Sequence, residues 1–202
     1  MIITLSNPKG GVGKTTTVTT LAHLLFLADK GVALVDLDSW RTRGAGAKAA
    51  FRRGELLGIP TFERLEDLAE PEPNFIIIDT PPDSPSAEQA KAQRVADLVI
   101  VPMSVSDDDL EVSIAHFVSI NNANKMLLLT RIHPRSHTAS LVEDLNESGY
   151  PTFATVIRSY SIYKTALTSG GTVAGVNTVA GRKAAGDYQA LLAEILGQQS
   201  ES

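Results

Sequence analysis

The chain has 202 residues and a net charge of −5, with 43% hydrophobic and 20% charged residues, which is ordinary for one globular domain. The absence of cysteine excludes disulfides, thiol catalysis and a cysteine-ligated iron–sulfur cluster. The acidic balance argues against a generally basic nucleic-acid-binding protein. No apolar run approaches the ~20 residues of a membrane span, and a core strand stands where a signal peptide would begin, so we expect a cytoplasmic protein without membrane attachment.

Short apolar runs alternate with amphipathic segments along most of the chain. The runs predict strands, and the intervening segments predict helices. Because the runs are continuously apolar, we predict an α/β fold with a doubly wound, mostly parallel sheet, helices on both faces and a ligand site at the carboxyl ends of the strands. A single domain is predicted over 1–196, with a disordered tail at 197–202. The predicted strands are 2–6, 32–36, 75–79, 98–102, 125–130 and 152–157, and the predicted helices are 14–29, 45–53, 63–69, 84–96, 107–121, 137–148, 160–169 and 178–196.

A glycine-rich loop, Asn-Pro-Lys-Gly-Gly-Val-Gly-Lys-Thr-Thr at 7–16, connects the first strand to the first helix. In such a loop the backbone N–H groups face an anion, the glycines permit close approach, and the dipole of the helix favours negative charge. We therefore predict a nucleoside triphosphate site in which Lys14 reaches the β- and γ-phosphates and the Thr15 hydroxyl binds Mg²⁺. The predicted cradle is completed by Gly10, Gly11, Val12, Gly13 and Thr16.

A carboxylate is predicted to join this site from another strand. Asp79 closes the run Phe-Ile-Ile-Ile and is followed by Thr-Pro-Pro. A carboxylate at a strand end beside a phosphate loop can hold Mg²⁺, usually through the water shell of the ion. The sequence therefore predicts Asp79 as a metal-site residue.

The loop departs from the pattern GxxxxGK[ST], because Pro8 stands at the first glycine position and Lys9 adds a second lysine. The resulting stretch, KGGVGKTT, resembles the deviant Walker A loop of the ParA/MinD ATPases. That resemblance implies ATP with Mg²⁺ as the ligands and a P-loop NTPase fold of the ParA/MinD type. It also implies that Lys9 crosses a dimer interface and touches the phosphates bound by the other subunit.

The second strand ends in Asp36-Leu37-Asp38, which resembles the first switch of that family, D-x-D-P-Q. The resemblance implies that Asp38 positions or activates the attacking water, and that Asp36 is a supporting or metal-side carboxylate. Ser39-Trp40 replaces the Pro-Gln pair of the pattern, so the details of the switch remain open.

The last third of the chain resembles small ParA proteins, especially the ParF-like plasmid group. Thr130 and Arg131 match a position near the adenine, and 154–173 resembles a late strand, loop and helix. Lysine and arginine residues exceed acidic residues by seven to three between 125 and 183, which permits a basic face on an acidic protein. The resemblance implies backbone contacts to non-specific DNA from Arg158, Lys164, Arg182 and Lys183.

The predicted function is that of an ATP-dependent DNA partition (segregation) ATPase of the plasmid type. The resemblance implies an ATP-dependent homodimer that coats nucleoid DNA, and slow ATP hydrolysis that a centromere-binding ParB-type partner stimulates. A ParA-like protein that positions a non-DNA cargo remains an open alternative. A MinD-like membrane-cycling ATPase is less favoured, because no basic residue follows Lys183 in the final amphipathic segment. A metabolic ligase or a kinase relative is also less favoured, because neither an acceptor pocket nor a tyrosine-rich tail is recognisable.

Overall fold

The structure is a computed structural model that describes residues 1–38, 49–68, 73–82, 86–105 and 107–198. Helices and strands alternate along these residues. The strands are β1 (Ile2–Leu5), β2 (Val32–Asp36), β3 (Thr61–Phe62), β4 (Phe75–Asp79), β5 (Leu98–Met103) and β6 (Lys125–Leu129). The helices are α1 (Lys14–Leu27), α2 (Ala49–Leu57), α3 (Ala87–Val95), α4 (Asp107–Ser119), α5 (Ala139–Glu147), α6 (Ile162–Thr168) and α7 (Val179–Gln198).

The described strands form one six-stranded parallel sheet in the order β3-β2-β4-β1-β5-β6. β1 is central, with β4 on one side and β5 on the other. Such a doubly wound sheet carries its ligand site where the strand order reverses, at the carboxyl ends of the strands. The loop that follows β1 lies at this point, so the predicted fold class is confirmed, and the predicted phosphate loop lies where such a sheet carries its ligand.

The apolar runs form strands because both faces of the sheet are covered. On one face, α1 and α7 bury residues such as Leu21 and Leu191 against β1 and β4. On the other face, Phe117 of α4 and Leu145 of α5 pack against β5 and β6. In a strand that is buried on both faces, side chains pointing to either face are apolar, which explains why the runs are continuous.

The predicted strand at 152–157 is wrong. This segment makes only isolated bridges to the sheet, Leu127 with Thr152 and Ile132 with Arg158. Carboxylates of α7 take backbone N–H groups that a ladder would need: Ala154 and Thr155 donate to Glu194, and Arg158 donates to Asp187. The sixth strand is instead β3, a two-residue edge strand too short to show a pattern in the sequence.

Several helix boundaries also differ from the predictions. The predicted helix at 63–69 is a 3₁₀ turn, Leu65–Asp67, because the residues on either side of it, Arg64 and Leu68, have extended backbones. α7 extends to Gln198, so two residues of the predicted tail are helical, and 199–202 lie outside the described residues. Within the part of the chain that the structure describes, no helix has the length and apolar character needed to span a membrane.

Candidate nucleotide-binding site

The phosphate loop between β1 and α1 has the backbone shape that its glycines permit. Gly11 and Gly13 adopt φ angles of 79° and 95°, in the left-handed region that side chains disfavour. Gly13 caps α1, and in these described residues no side chain caps the helix and no acid occupies its first turn. The first N–H groups of α1 are therefore left to an external acceptor, which is the condition for anion binding at a helix N-terminus.

Lys14 lies inside the curve of this loop. Its side chain is buried, and Nζ donates to the carbonyl oxygens of Asn7 at 2.7 Å and Lys9 at 2.9 Å. Asn7 fixes the loop in turn: its Nδ2 donates to the Pro102 carbonyl and its Oδ1 accepts from the backbone N–H of Lys9. The ammonium is thus held by two carbonyl groups of the loop itself, in the position from which a P-loop lysine reaches the phosphates.

Thr15 and Asp79 are brought together as the sequence predicts. Thr15 Oγ1 donates to Asp79 Oδ2 at 2.7 Å, whereas Asp79 Oδ1 is buried without a hydrogen-bond partner among the described residues. Burial, and next the charge of Asp36, raise the pKa of Asp79 to about 7. A buried, unsatisfied carboxylate oxygen beside a threonine hydroxyl fits a divalent cation, which would satisfy it.

Asp36 lies opposite Asp79 on the neighbouring strand. Both of its oxygens accept backbone N–H groups: Oδ1 from Asp38 at 3.0 Å and Oδ2 from Phe51 at 2.9 Å. Burial is the main cause that raises the pKa of Asp36. Asp36 thus ties the half-buried Asp38 and the start of α2 to the site, while no described residue donates a hydrogen bond to Asp79 Oδ1. Ser39 and Trp40 lie outside the described residues.

The donor set is small, as a magnesium site of this kind requires. Among the described residues, no group of three or more histidine, cysteine, aspartate or glutamate side chains is arranged to hold a metal. Mg²⁺ usually takes one or two protein ligands and completes its shell with phosphate oxygens and water. The residues present therefore fit a nucleotide-bound Mg²⁺ better than a metal held by protein alone.

Lys9 stands at the entrance of the loop and is paired within its own chain. Its Nζ lies 2.8 Å from Asp109 Oδ1, with the lysine side chain 42% exposed and the aspartate 17% exposed. Ser104 Oγ donates to Asp109 Oδ2 and holds the carboxylate in place. The sequence analysis did not identify Asp109, because it is one of three consecutive aspartates at 107–109 that look like a solvated helix start.

A cavity of about 370 Å³ lies beside the phosphate loop. Thr130 and Arg131 line it, and both also hold the loop: Thr130 Oγ1 donates to the Val12 carbonyl at 2.8 Å, and Arg131 donates to the Gly11 carbonyl at 3.1 Å. Arg131 has a φ of 58°, a strained backbone that is typical of functional sites. The remaining lining residues are Gly11, Gly13, Thr16, Ile157, Arg158, Ser159, Tyr160, Ser161, Tyr163, Lys164, Leu167 and Tyr188.

The four predicted DNA-contact residues fall into two groups. Arg158 and the exposed Lys164 line the cavity beside the phosphate loop, and Arg158 also forms an ion pair with Asp187 at 2.8 Å. Arg182 and Lys183 are exposed on α7, where Arg182 donates to the Asn177 side chain. The structure therefore places the first pair beside the phosphate loop and the second pair on the surface of α7.

A polar network surrounds Ser6, the residue between β1 and the phosphate loop, and the sequence analysis did not identify it. Ser6 Oγ accepts from the side-chain amides of Gln89 and Gln93 on α3, at 3.0 and 2.8 Å. Because both of its acceptor positions are used, its proton faces His116 Nε2 of α4 at 2.9 Å. Burial, followed by the charges of Lys14 and Lys125, lowers the pKa of His116 to about 4 and keeps it neutral. The network joins α3 and α4 to the strand that carries the loop.

Comparison with known proteins agrees with this geometry. The model of the CobQ/CobB/MinD/ParA nucleotide-binding domain matches residues 3–173. The maintenance of carboxysome distribution protein A of Gloeobacter kilaueensis is 30% identical over 204 residues, 96% of this chain and 93% of that protein. The chromosome-partitioning ATPase Soj of Thermus thermophilus is 41% identical over 81 residues, 40% of this chain and 32% of that protein. A solved plasmid partition protein of Borrelia burgdorferi B31, bound to AMPPNP, has a TM-score of 0.67 and 19% identity over 98% of both chains.

Proposed function

The chain belongs to the CobQ/CobB/MinD/ParA family, whose ParA and MinD members are P-loop ATPases that bind ATP with Mg²⁺, and from this premise we propose that it is a ParA-like positioning ATPase. In this proposal an ATP-dependent homodimer distributes a large cargo along a DNA surface in the cytoplasm. One observation carries the proposal. A complete phosphate loop with Lys9 at its entrance occurs in a chain that is similar to a carboxysome-distribution protein over 96% of its length.

The proposed cycle begins with ATP binding. The N–H groups at the start of α1 and the ammonium of Lys14 would bind the phosphates, and Thr15 and Asp79 would hold the Mg²⁺. When bound, Mg²⁺ neutralises charge on the phosphate oxygens. Lys9 then exchanges Asp109 for the phosphates of a second subunit, which joins the two chains face to face.

Hydrolysis ends the cycle in this proposal. Asp38 orients the attacking water, and Asp36 holds Asp38 through the 3.0 Å bond to its backbone N–H. Loss of the γ-phosphate removes the ligand of Lys9, so the subunits separate and the chain leaves the DNA. Turnover is slow until a cargo-bound partner protein stimulates it.

The DNA contacts are proposed for the exposed basic residues. Arg182 and Lys183 project from the first turn of α7, and the neighbouring surface hollow is lined by His133, Arg135 and Lys183. Lysine and arginine contacts to the phosphate backbone give affinity without sequence preference. Lys164 is proposed as a further contact, while the guanidinium of Arg158 is engaged by Asp187.

We propose a carboxysome-like compartment as the cargo, because the similarity to the Gloeobacter kilaueensis protein, named for the maintenance of carboxysome distribution, extends over 93% of that protein. Partition of a plasmid or chromosome, with a centromere-binding ParB-type partner, is the second candidate. The 41% identity to Soj over 81 residues favours it. A membrane-cycling role is not proposed, because Tyr188, Leu191 and Ile195 of α7 are almost fully buried in the core.

Binding to random-sequence duplex DNA tests the cycle. The protein is mixed with AMPPNP, ADP or no nucleotide at 50 to 200 mM salt, and the double variant Arg182→Ala/Lys183→Ala is compared with Lys30→Ala, which removes an exposed lysine at the far end of α1. We expect AMPPNP-dependent binding that weakens steeply with salt, by roughly 10³–10⁵ if 6–10 phosphates are engaged, and that the double variant loses. Absence of binding in every nucleotide state would contradict the DNA surface.

The cargo is tested by deleting the gene in its host and imaging the cell. Clustering of a protein compartment that is normally dispersed supports the first candidate. Normal compartments together with raised loss of a plasmid support the second.

A further inference from the structure

One stripe of α4 faces the segment at 6–9, through which the chain passes from β1 into the phosphate loop. The stripe consists of Asp109, Ser113 and His116, which are four and three positions apart and therefore lie on one face of the helix. Each of these side chains contacts a different residue of the segment. One helix face is thus joined to the entrance of the phosphate loop at three points.

Two of these contacts hold the part of the segment nearest to β1. Asn7 Nδ2 donates to Ser113 Oγ at 2.8 Å. Ser6 Oγ lies 2.9 Å from His116 Nε2, which can accept the serine proton because burial lowers the pKa of His116 to about 4 and keeps the imidazole neutral. Ser6, Asn7 and Ser113 are fully buried. Because a buried polar group that loses its partner costs free energy, both contacts keep the segment in one position.

The third contact holds a side chain at the surface. Lys9 Nζ pairs with Asp109, while the backbone N–H of Lys9 donates to Asn7 Oδ1 at 2.9 Å. Pro8, between the two, has a φ angle that its ring fixes. The backbone that carries Lys9 is therefore held by its own contacts. The exchange of Asp109 for another acceptor needs only a rotation of the lysine side chain.

We propose that Ser113 and His116 are positioning residues for Lys9, because they fix the backbone from which its ammonium reaches the nucleotide of a second subunit. This inference rests on the ATP-dependent dimer of the proposed function. An interface loses affinity when the groups that form it must first be ordered. The contacts from α4 order the backbone of Lys9 before the second subunit binds. Ser113 and His116 thus act on dimerisation through Lys9 and do not touch the nucleotide themselves.

The test measures dimerisation and nucleotide binding separately. Ser113→Ala and His116→Leu each remove one contact, and His116→Gln keeps a polar atom near the position of Nε2. The matched control Thr4→Val removes a different buried hydrogen bond, from β1 to the Ala92 carbonyl. Sedimentation equilibrium with AMPPNP and Mg²⁺ gives the dimer dissociation constant. Isothermal titration with ADP and Mg²⁺ gives the nucleotide affinity of the monomer.

Dimerisation should separate the two kinds of variant. We expect Ser113→Ala and His116→Leu to raise the dimer dissociation constant about 2- to 13-fold, the effect of one lost hydrogen bond, and to bind ADP as wild type does. His116→Gln should dimerise as wild type does. Thr4→Val should lower the Tm, as the loss of a buried hydrogen bond does, without changing the dimer dissociation constant.

Unchanged dimerisation of folded Ser113→Ala and His116→Leu overturns the inference. An equal loss of dimerisation in Thr4→Val also overturns it, because the effect is then one of stability alone. An equal loss of ADP affinity does so as well, because the contacts then hold the whole phosphate loop. Wild type that binds ADP but stays monomeric with AMPPNP overturns the proposed dimer, and the inference with it. Wild type that binds no nucleotide overturns the ATP site and everything that rests on it.

Discussion

Lys9 and Asp109 form an ion pair within one chain, with Nζ 2.8 Å from Oδ1. The lysine that is proposed to act on the phosphates of a second subunit thus has an acceptor in its own subunit. Asp109 is oriented by Ser104, whereas Lys9 is nearly half exposed. Because the lysine side chain is 42% exposed, water screens part of this attraction, and we expect the exchange of Asp109 for a phosphate to cost no more than about 1 kcal/mol.

Asp109→Asn weakens the intramolecular pair and should favour dimerisation. We expect a dimer dissociation constant up to about 5-fold lower with AMPPNP, since at most ~1 kcal/mol of competing interaction is lost. Sedimentation equilibrium measures it, and Glu111→Gln, an exposed residue on the same helix, is the control. Weaker dimerisation in Asp109→Asn than in wild type would show that Asp109 supports the dimer instead of competing with it.

Lys14→Ala should lose nucleotide binding. The ammonium lies inside the phosphate loop, and a charge-assisted hydrogen bond contributes about 1.5–3 kcal/mol, so ATP affinity is expected to fall by about 10- to 150-fold. Isothermal titration with ATP and Mg²⁺ measures this, with Lys30→Ala as the control. Circular dichroism shows whether the fold survives the loss of the two hydrogen bonds from Lys14 to the loop carbonyl groups. Unchanged ATP affinity in a folded Lys14→Ala variant would contradict the assignment of the phosphate site.

Asp79→Asn should change the pH dependence of folding. The pKa of Asp79 in the folded, nucleotide-free protein is raised to about 7, so the folded state binds its proton more tightly than the unfolded state does. Ionisation of Asp79 therefore lowers the free energy of unfolding as pH rises from about 4 to 7. The asparagine amide does not ionise, so the variant avoids this loss of stability.

We expect urea unfolding to show Asp79→Asn more stable than wild type by about 1–3 kcal/mol at pH 8, with little difference at pH 4. The same variant should lose the gain in ATP affinity that Mg²⁺ provides. An Asp79→Asn protein that is less stable than wild type at pH 8 would mean that the carboxylate is satisfied in the ligand-free fold.

Asp38→Ala should bind ATP and dimerise but hydrolyse it slowly. Loss of a residue that orients or activates water costs about 10²–10⁴ in rate. Phosphate release under single-turnover conditions measures the step, with Glu55→Ala, an exposed residue of α2, as the control. Hydrolysis at the wild-type rate would exclude Asp38 from the mechanism.

The fold and the phosphate site could be predicted because their signals are local. The continuous apolar runs and the Lys14–Thr15 pair lie within short stretches of sequence, and Asp79 is marked by the strand that it ends. No strand forms at 152–157, because two backbone N–H groups of this segment donate to the carboxylate of Glu194, about forty residues later in the chain. The pattern of neighbouring residues does not reveal an acceptor so far away in the sequence.

The same reason explains the site residues that the sequence analysis did not identify. Asp109 matters because it pairs with Lys9, one hundred positions earlier in the chain, and the contact between Ser6 and His116 joins residues 110 positions apart. Neither contact has a spacing or composition signal. The fold brings these residues together, as it brings Arg158 to its ion pair with Asp187.

Sedimentation velocity of wild type and Lys9→Ala with AMPPNP and Mg²⁺ tests the nucleotide-driven dimer most directly. We predict that wild type sediments as a monomer with ADP and as a dimer with AMPPNP, while Lys9→Ala binds AMPPNP and remains a monomer. Dimerisation of Lys9→Ala at the wild-type concentration, or a wild type that stays monomeric when saturated with AMPPNP, would contradict the account.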